Sequence, residues 1–169
     1  MASTQAVPSP IRTRQASVVI QGLATEIVVE AFMDRVLILV TQLGKIGSLT
    51  QASLPSTVSL PPTGLSTPTG LLPALPQPHP ATTLLPLMGT APTADLQPVY
   101  EMYVSQLAAI VWDDEQRDNG PGGGGGKRPV VVGLGFKPSS LSGSDRPDWE
   151  RERERFGKVM ELVKECRVW

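Results

Sequence analysis

The sequence predicts an α+β fold, in which a six-stranded antiparallel sheet carries two helices on one face. Two observations support this fold class. Short runs rich in β-branched residues alternate with turn-forming residues through the first half of the chain, as is typical of consecutive hairpins. Two longer segments with apolar residues at helical spacing follow late in the chain, and we expect them to form the helices that cover the sheet.

The first four predicted strands follow one another closely. The pattern becomes strand-like from Arg14 and includes SVVI at 17–20, and after a turn it continues as TEIVVEAF at 25–32. Residues 35–41, RVLILVT, are apolar on both faces of a strand, so this strand requires cover on both sides. The glycines of LGKIGSL permit a sharp reversal into the fourth strand at 48–54.

A proline-rich loop interrupts the predicted sheet. Eight prolines lie within residues 55–80, where they block both ladder hydrogen bonds and helix interiors. The fifth strand is predicted at 82–88, TTLLPLM, and Pro86 favours an edge position or a bulge for it.

Two helices and one more strand complete the chain. Asp95 is a suitable N-cap for a helix that continues to Trp112, with Pro98 in its first turn. A glycine-rich linker at 113–128 leads to the sixth strand at 130–136, and a last helix spans about 145–167. Apolar residues form one stripe on each helix: Val99, Tyr103, Leu107, Ile110 and Val111 on the first, and Trp149, Phe156, Met160 and Val163 on the second.

Length and composition indicate a disordered tail at 1–11 followed by one domain at 12–169. The formal charge of −1 provides no overall field to attract a nucleic acid, and the longest aliphatic run is too short to span a membrane. The single cysteine, Cys166, excludes an intrachain disulfide and suits a reducing compartment. We therefore expect a soluble cytosolic or nuclear protein.

The segment DNGPGGGGGKRPVVV at 118–132 resembles a phosphate-binding loop only superficially. Pro121 stands where the first glycine of that motif is needed, Arg128 replaces the Ser or Thr, and the segment precedes a strand instead of following one. One histidine, His79, and one distant cysteine cannot supply a metal site or a histidine-based triad. The alternating charges of 150–155 favour a solvated helix face, and the sequence predicts neither a cofactor nor an enzyme.

The apolar third strand predicts a partner. Two helices cover only one face of a sheet, and exposing Val36, Ile38 and Val40 would forfeit about 1.5–3 kcal/mol each, or roughly 5–9 kcal/mol together. This loss is comparable with the whole stability of a domain, about 5–15 kcal/mol. We therefore expect these residues at a dimer interface in which two sheets pack face to face, giving α-β-β-α layers.

Two segments resemble a known family. Residues 31–49, AFMDRVLILVTQLGKIGSL, are similar to the third strand and following turn of the proteasome assembly chaperone 3 family, and residues 159–169, VMELVKECRVW, are similar to its C-terminal end. Weaker likenesses are SVVIQGLATEIVVEAF and the helix start between Asp95 and Pro98. The loops at 55–80, 113–128 and 139–146 are longer than expected for this family.

The resemblance implies a non-enzymatic chaperone without a cofactor. Such a protein forms a dimer, with itself or with a partner like proteasome assembly chaperone 4, and helps α-type subunits of the 20S proteasome to assemble into a ring. Gln42, Gly44, Lys45 and Gly47 match the family's turn, where they either contact a client or shape the fold. An adaptor of another multiprotein complex, or a hydrolase or transferase using the glycine-rich linker, are the alternatives that the sequence leaves open.

Overall fold

The structure is a computed structural model that describes residues 11–42, 44–58, 60, 75–119, 127–137 and 148–169. Most of the tail, the middle of the proline-rich loop, the glycine run and the loop at 139–146 lie outside the described residues, so the predictions for these segments are not tested. The linker predicted from residue 113 is corrected at its start, because residues 113–119 continue the first helix, where Arg117 pairs with Asp113 and Asp114 at helical spacing.

The element order confirms the predicted α+β class, with six strands and two helices in the described part of the chain. A 3₁₀ turn at Ala94–Leu96 leads into the first helix. The elements are β1 (Arg12–Ile20), β2 (Leu23–Ala31), β3 (Val36–Gln42), β4 (Ser48–Ser53), β5 (Thr83–Gly89), α1 (Gln97–Asn119), β6 (Val130–Gly135) and α2 (Trp149–Glu165).

The strands form one sheet in the order β1-β2-β3-β6-β4-β5. Four of the five strand pairs are antiparallel, but β6 runs parallel to β3, with Val36 opposite Val130 and Val40 opposite Leu134. The fully antiparallel sheet predicted from the sequence is corrected in this respect. The parallel pair arises because α1 is a crossover connection that returns the chain into the middle of the sheet.

Local sequence explains the turns and the edge. Gln21 and Gly22 both have positive φ in the two-residue turn between β1 and β2, as a type I′ hairpin requires. Pro86 lies in β5, which is an edge strand of the sheet, and a register irregularity occurs in its pairing with β4. The edge position and the bulge favoured by this proline are both present.

Both helices pack on the same face of the sheet. The predicted stripe of α1 is buried in a single core with Phe156, Met160 and Val163 of α2. Trp149 is the exception, since 60% of its surface is exposed at the first residue of α2. Its predicted place on the buried stripe is wrong because the core contacts of α2 start further along the helix, from residue 152. No helix in the described segments is long and apolar enough to cross a membrane.

Candidate functional site

The face of the sheet opposite the helices, here called the outer face, is the candidate site. Side chains alternate between faces along a strand, and the burial of β3 alternates with them. Val36, Ile38 and Val40 have no exposed surface and belong to the core under the helices of the same chain. The interface predicted at these three residues is therefore corrected: they lie inside the chain, and the positions available to a partner are the alternate ones.

The outer face has an apolar centre. Leu37 and Leu39 of β3 are partly exposed, and the strand register places them beside Val131 and Gly133 of β6. Val131 is only 5% exposed, yet it lies outside the core cluster formed with the helices, because it faces the other way. The larger apolar side chains at the other outward positions are Val19, Val28, Leu49, Leu85 and Met88.

Gly133 keeps this centre flat. A Cβ atom at this position would lie 2.7 Å from Cδ2 of Leu39 and 3.3 Å from atoms of both Ile46 and Leu49. These three side chains therefore close over the glycine backbone and form a continuous apolar surface. Sequence reasoning placed β6 in the sheet but not beside β3, so it could not identify this contact.

Carboxylates border the apolar centre on one side. Glu26 and Glu30 point outward from β2, beside the outward positions of β3. No lysine or arginine occupies an outward position in the six described strands. A partner with basic residues opposite β2 would complement this arrangement.

The described ends of the proline-rich loop lie on the helix side, away from the outer face. The Pro76 carbonyl accepts a hydrogen bond from the Gln106 side chain of α1 at 2.7 Å. At the other end the Val58 carbonyl accepts from Lys127, and Val58 and Leu75 pack against the core. Both ends are therefore tied to the covered side of the sheet.

The residues of the turn after β3 form hydrogen bonds that connect it to neighbouring strands. Gln42 is buried, donates to the Thr25 hydroxyl at 3.0 Å and accepts from the Lys137 backbone N–H at 2.9 Å. Gly44 has a φ of +64°, which favours glycine, and the Gly47 N–H donates to the Leu134 carbonyl at 2.9 Å. Lys45 is exposed and is the member of this predicted group with a charged side chain available to a partner.

A buried ionic cluster joins α1 to α2 on the helix side. The Tyr103 hydroxyl donates to Glu152 at 2.8 Å, Glu152 pairs with Arg155, and the Arg155 guanidinium lies 4.5 Å from the centre of the Phe136 ring. Burial raises the pKa of Tyr103. Burial, the largest single influence, acts to lower the pKa of Arg155, but the hydrogen bonds that Arg155 donates to Glu152, the negative charge of Glu152 and the contact with Tyr103 together raise it. The cluster is sealed from solvent and therefore connects elements instead of meeting a substrate.

Sequence reasoning missed this cluster because Glu152 and Arg155 lie in a run of alternating charges that favoured a solvated face. The signal that could have found it is helical spacing, since positions 152, 155, 156, 159, 160 and 163 form one stripe along α2.

The residues considered for metal or catalytic chemistry, His79 and Cys166, have local structural surroundings. His79 accepts the Ala81 backbone N–H on Nδ1 at 3.0 Å, which ties the ring to its own loop. Burial raises the pKa of the Cys166 thiol. Within the part of the chain that the structure covers, no group of three or more potential metal ligands is present.

The described residues form a sheet covered by helices on one face, with an apolar outer face that none of them covers. Comparisons with known proteins indicate which proteins this chain is similar to. No family model matches the chain. The chain is similar over nearly its whole length to proteins named proteasome assembly chaperone 3: it is 25% identical over 159 residues to the one from Bos taurus, covering 94% of this chain and 95% of that protein. It is 24% identical over 157 residues to the one from Mus musculus, covering 93% of each.

The resemblance found in the two sequence segments is thereby confirmed along almost the entire chain. A crystal structure described as a chaperone complex for yeast 20S proteasome assembly covers 93% of this chain and 98% of its own, at 11% identity and a TM-score of 0.46. A TM-score below 0.5 does not establish a common fold, so the similarity to known proteins depends on the two sequence relatives.

Proposed function

We propose that this protein is a non-enzymatic chaperone of proteasome assembly, which pairs through its outer face with a chain of like fold and binds α-type subunits of the 20S proteasome. The observation that carries the proposal is an apolar outer face that no described element covers, in a chain whose relatives, matched over nearly their whole length, are named proteasome assembly chaperone 3. The partner is a second copy or a protein like proteasome assembly chaperone 4, and the site of action is the cytosol or nucleus.

The outer face has the size that such pairing needs. Five spacings of about 4.8 Å make the sheet about 24 Å wide, and its strands of six to nine residues are about 20–30 Å long. The product, roughly 500–700 Å², approaches the area of about 800 Å² that each partner contributes to a standard interface. Sheet-on-sheet packing would then bury Leu37, Leu39 and Val131 between two layers.

Co-purification tests the proposal. The tagged protein, isolated from its own cells and analysed by native mass spectrometry, is expected to carry unassembled α-type subunits together with a second chaperone chain. Finished 20S proteasome from the same cells is expected to lack it, since an assembly factor leaves the product. Recovery of an unrelated multiprotein complex without α-type subunits would instead favour the adaptor role.

A further inference from the structure

A second surface, distinct from the outer face, lies along the start of β1. It is a cleft of about 550 Å³ between β1, the end of α1 and the residues after α2. Arg12, Arg14 and Arg167 line it, and Asp118 is its carboxylate. Val168 and Trp169 also line it, and both pack against the core, so the wall they form is anchored.

Two of the three arginines lack a carboxylate partner within the described residues. Arg167 pairs with Asp114 at 3.7 Å and also with Asp118. Arg14 donates to the Glu165 backbone carbonyl at 3.2 Å, a contact that leaves its positive charge uncompensated. Arg12 and Arg14 are both exposed and take part in none of the ion pairs that the described residues form. The cleft therefore presents two positive charges to an incoming group.

β1 is also an open edge. Among the described strands it pairs with β2 alone, through nine residue pairs from Arg12 to Ile20. Alternate residues of an edge strand direct N–H and C=O groups away from the sheet, where an extended peptide can pair with them. Arg12 and Arg14 are two residues apart and share one face, so their side chains would stand beside alternate residues of an added strand.

We propose that β1 and this cleft bind an extended acidic segment of a partner protein, which adds to the sheet as a seventh strand and places two carboxylates, two residues apart, on Arg12 and Arg14. Main-chain pairing supplies the register, and the arginines select the sequence because a guanidinium forms bidentate hydrogen bonds with a carboxylate. This inference does not depend on the proposed role in proteasome assembly, because it concerns only the chemistry of the segment that the edge accepts.

Three short peptides separate strand addition from general charge attraction. Three fluorescein-labelled nonapeptides built on Thr and Val carry two glutamates at i and i+2, two glutamates at i and i+1, or two glutamines at i and i+2. The full chain is expected to bind the first peptide about threefold to tenfold more tightly than the other two by fluorescence anisotropy, as two partly exposed ion pairs allow. In ¹⁵N spectra the shifted backbone amides should be those of β1.

Matched variants test the residues. The R12Q/R14Q double variant should lose the preference for the i and i+2 spacing, whereas R153Q, with the same kind of change on the exposed side of α2, should keep it. R12Q alone keeps the Arg14 contact with Glu165 and should lose about half of the free-energy preference for the i and i+2 peptide. This single variant controls for a folding defect in the double variant.

Three results would overturn the proposal: equal affinity for the two glutamate peptides, equal loss in R153Q, or binding without shifts in β1 amides. Displacement of the peptide by an oligothymidylate of equal charge at lower concentration would also overturn it, since the arginines would then serve a phosphate backbone.

Discussion

The contact that depends most on single side chains is the buried pair of Glu152 and Arg155. It connects three elements, because Glu152 accepts from Tyr103 of α1 while Arg155 donates to the Lys137 carbonyl after β6 at 3.4 Å. Removing a charge from water is costly, and only the mutual attraction and the added hydrogen bonds offset that cost. The pair is therefore stable only while both partners are present.

Replacement of Glu152 by Gln should reduce the free energy of unfolding by about 3–5 kcal/mol, because it leaves the Arg155 charge buried and unpaired. Urea denaturation followed by circular dichroism measures this. The control is Glu154→Gln, which removes an exposed carboxylate that pairs with Lys158 and should change stability little. A double change of Glu152 to Leu and Arg155 to Met should restore most of the loss, and equal losses in the single and double variants would contradict the explanation.

Two carboxyls should show opposite pH dependence. Burial raises the pKa of Asp113 above its ordinary value of 3.8, so the folded state binds more protons than the unfolded state just above that pH, and stability falls as pH rises. A hydrogen bond from Arg35 lowers the pKa of Asp34, so its contribution rises as pH rises towards 3.8. Relative to the parent protein, Asp113→Asn should gain stability with increasing pH and Asp34→Asn should lose it, as denaturation between about pH 3 and 6 would measure. Parallel trends would be incompatible with these shifts.

The turn between β3 and β4 shows how an element can depend on a glycine in a distant strand. A Cβ atom on Gly135 would lie 1.7 Å from the Lys45 carbonyl oxygen, which is backbone and cannot rotate aside. A Cβ atom on Gly133 would meet the end of the Leu39 side chain, which can rotate aside. The two glycines are in one strand but differ in what they face.

Gly135→Ala should therefore cost about 1–3 kcal/mol, the usual range for overpacking, and Gly133→Ala should cost clearly less. Thermal denaturation measures the difference, and hydrogen exchange should show faster exchange of the Gly47 amide, which bonds to the Leu134 carbonyl, in the Gly135 variant alone. A larger loss at Gly133 would show that the side chains over it have no room to adjust.

Local pattern predicted the elements well because each carries its own signal. Pro86 predicted an edge strand, and the spacing of Tyr103, Leu107 and Ile110 predicted a buried helix face; the structure has both. The order of strands depends on contacts across the chain, which no local pattern contains. The sequences of β3 and β6 are almost continuously apolar, which is typical of strands covered on both faces. This pattern could have indicated that the two strands lie in the centre of the sheet.

The sequence predicted an apolar sheet face as the candidate site, but it assigned the wrong residues of β3 to that face. Among the described residues, the core cluster holds only one set of alternate strand positions, and no described element covers the other set. The sequence RVLILVT does not show which alternate residues face the helices, because both sets of alternate residues are aliphatic. A shift of one residue in the strand register would place Leu37 under the helices in place of Ile38.

At the scale of the whole molecule, the two binding surfaces proposed from the described residues differ in chemistry. The outer face is apolar with Glu26 and Glu30 at one side, and the β1 edge is polar with Arg12 and Arg14. The helices and the described ends of the proline-rich loop occupy the remaining side. If the proposed pairing uses the outer face, the β1 cleft stays free on the helix side, so the two proposed partners would not compete for one surface.

Leu37→Glu tests the outer face directly. Leu37 is partly exposed at the centre of that face, next to Val131, so the change adds a charge to the proposed interface without entering the core. If sheet-on-sheet pairing buries this side chain, the loss of about 1.5–3 kcal/mol raises the dissociation constant about tenfold to a hundredfold. Analytical ultracentrifugation, alone and with the co-purified partner chain, measures the constant. Met33→Glu, at a turn position 98% exposed, makes the same change in charge and should leave pairing intact. Unchanged association of the Leu37 variant would remove the outer face as the pairing surface, because an ionised carboxylate cannot be buried unpaired between two apolar layers without a large cost.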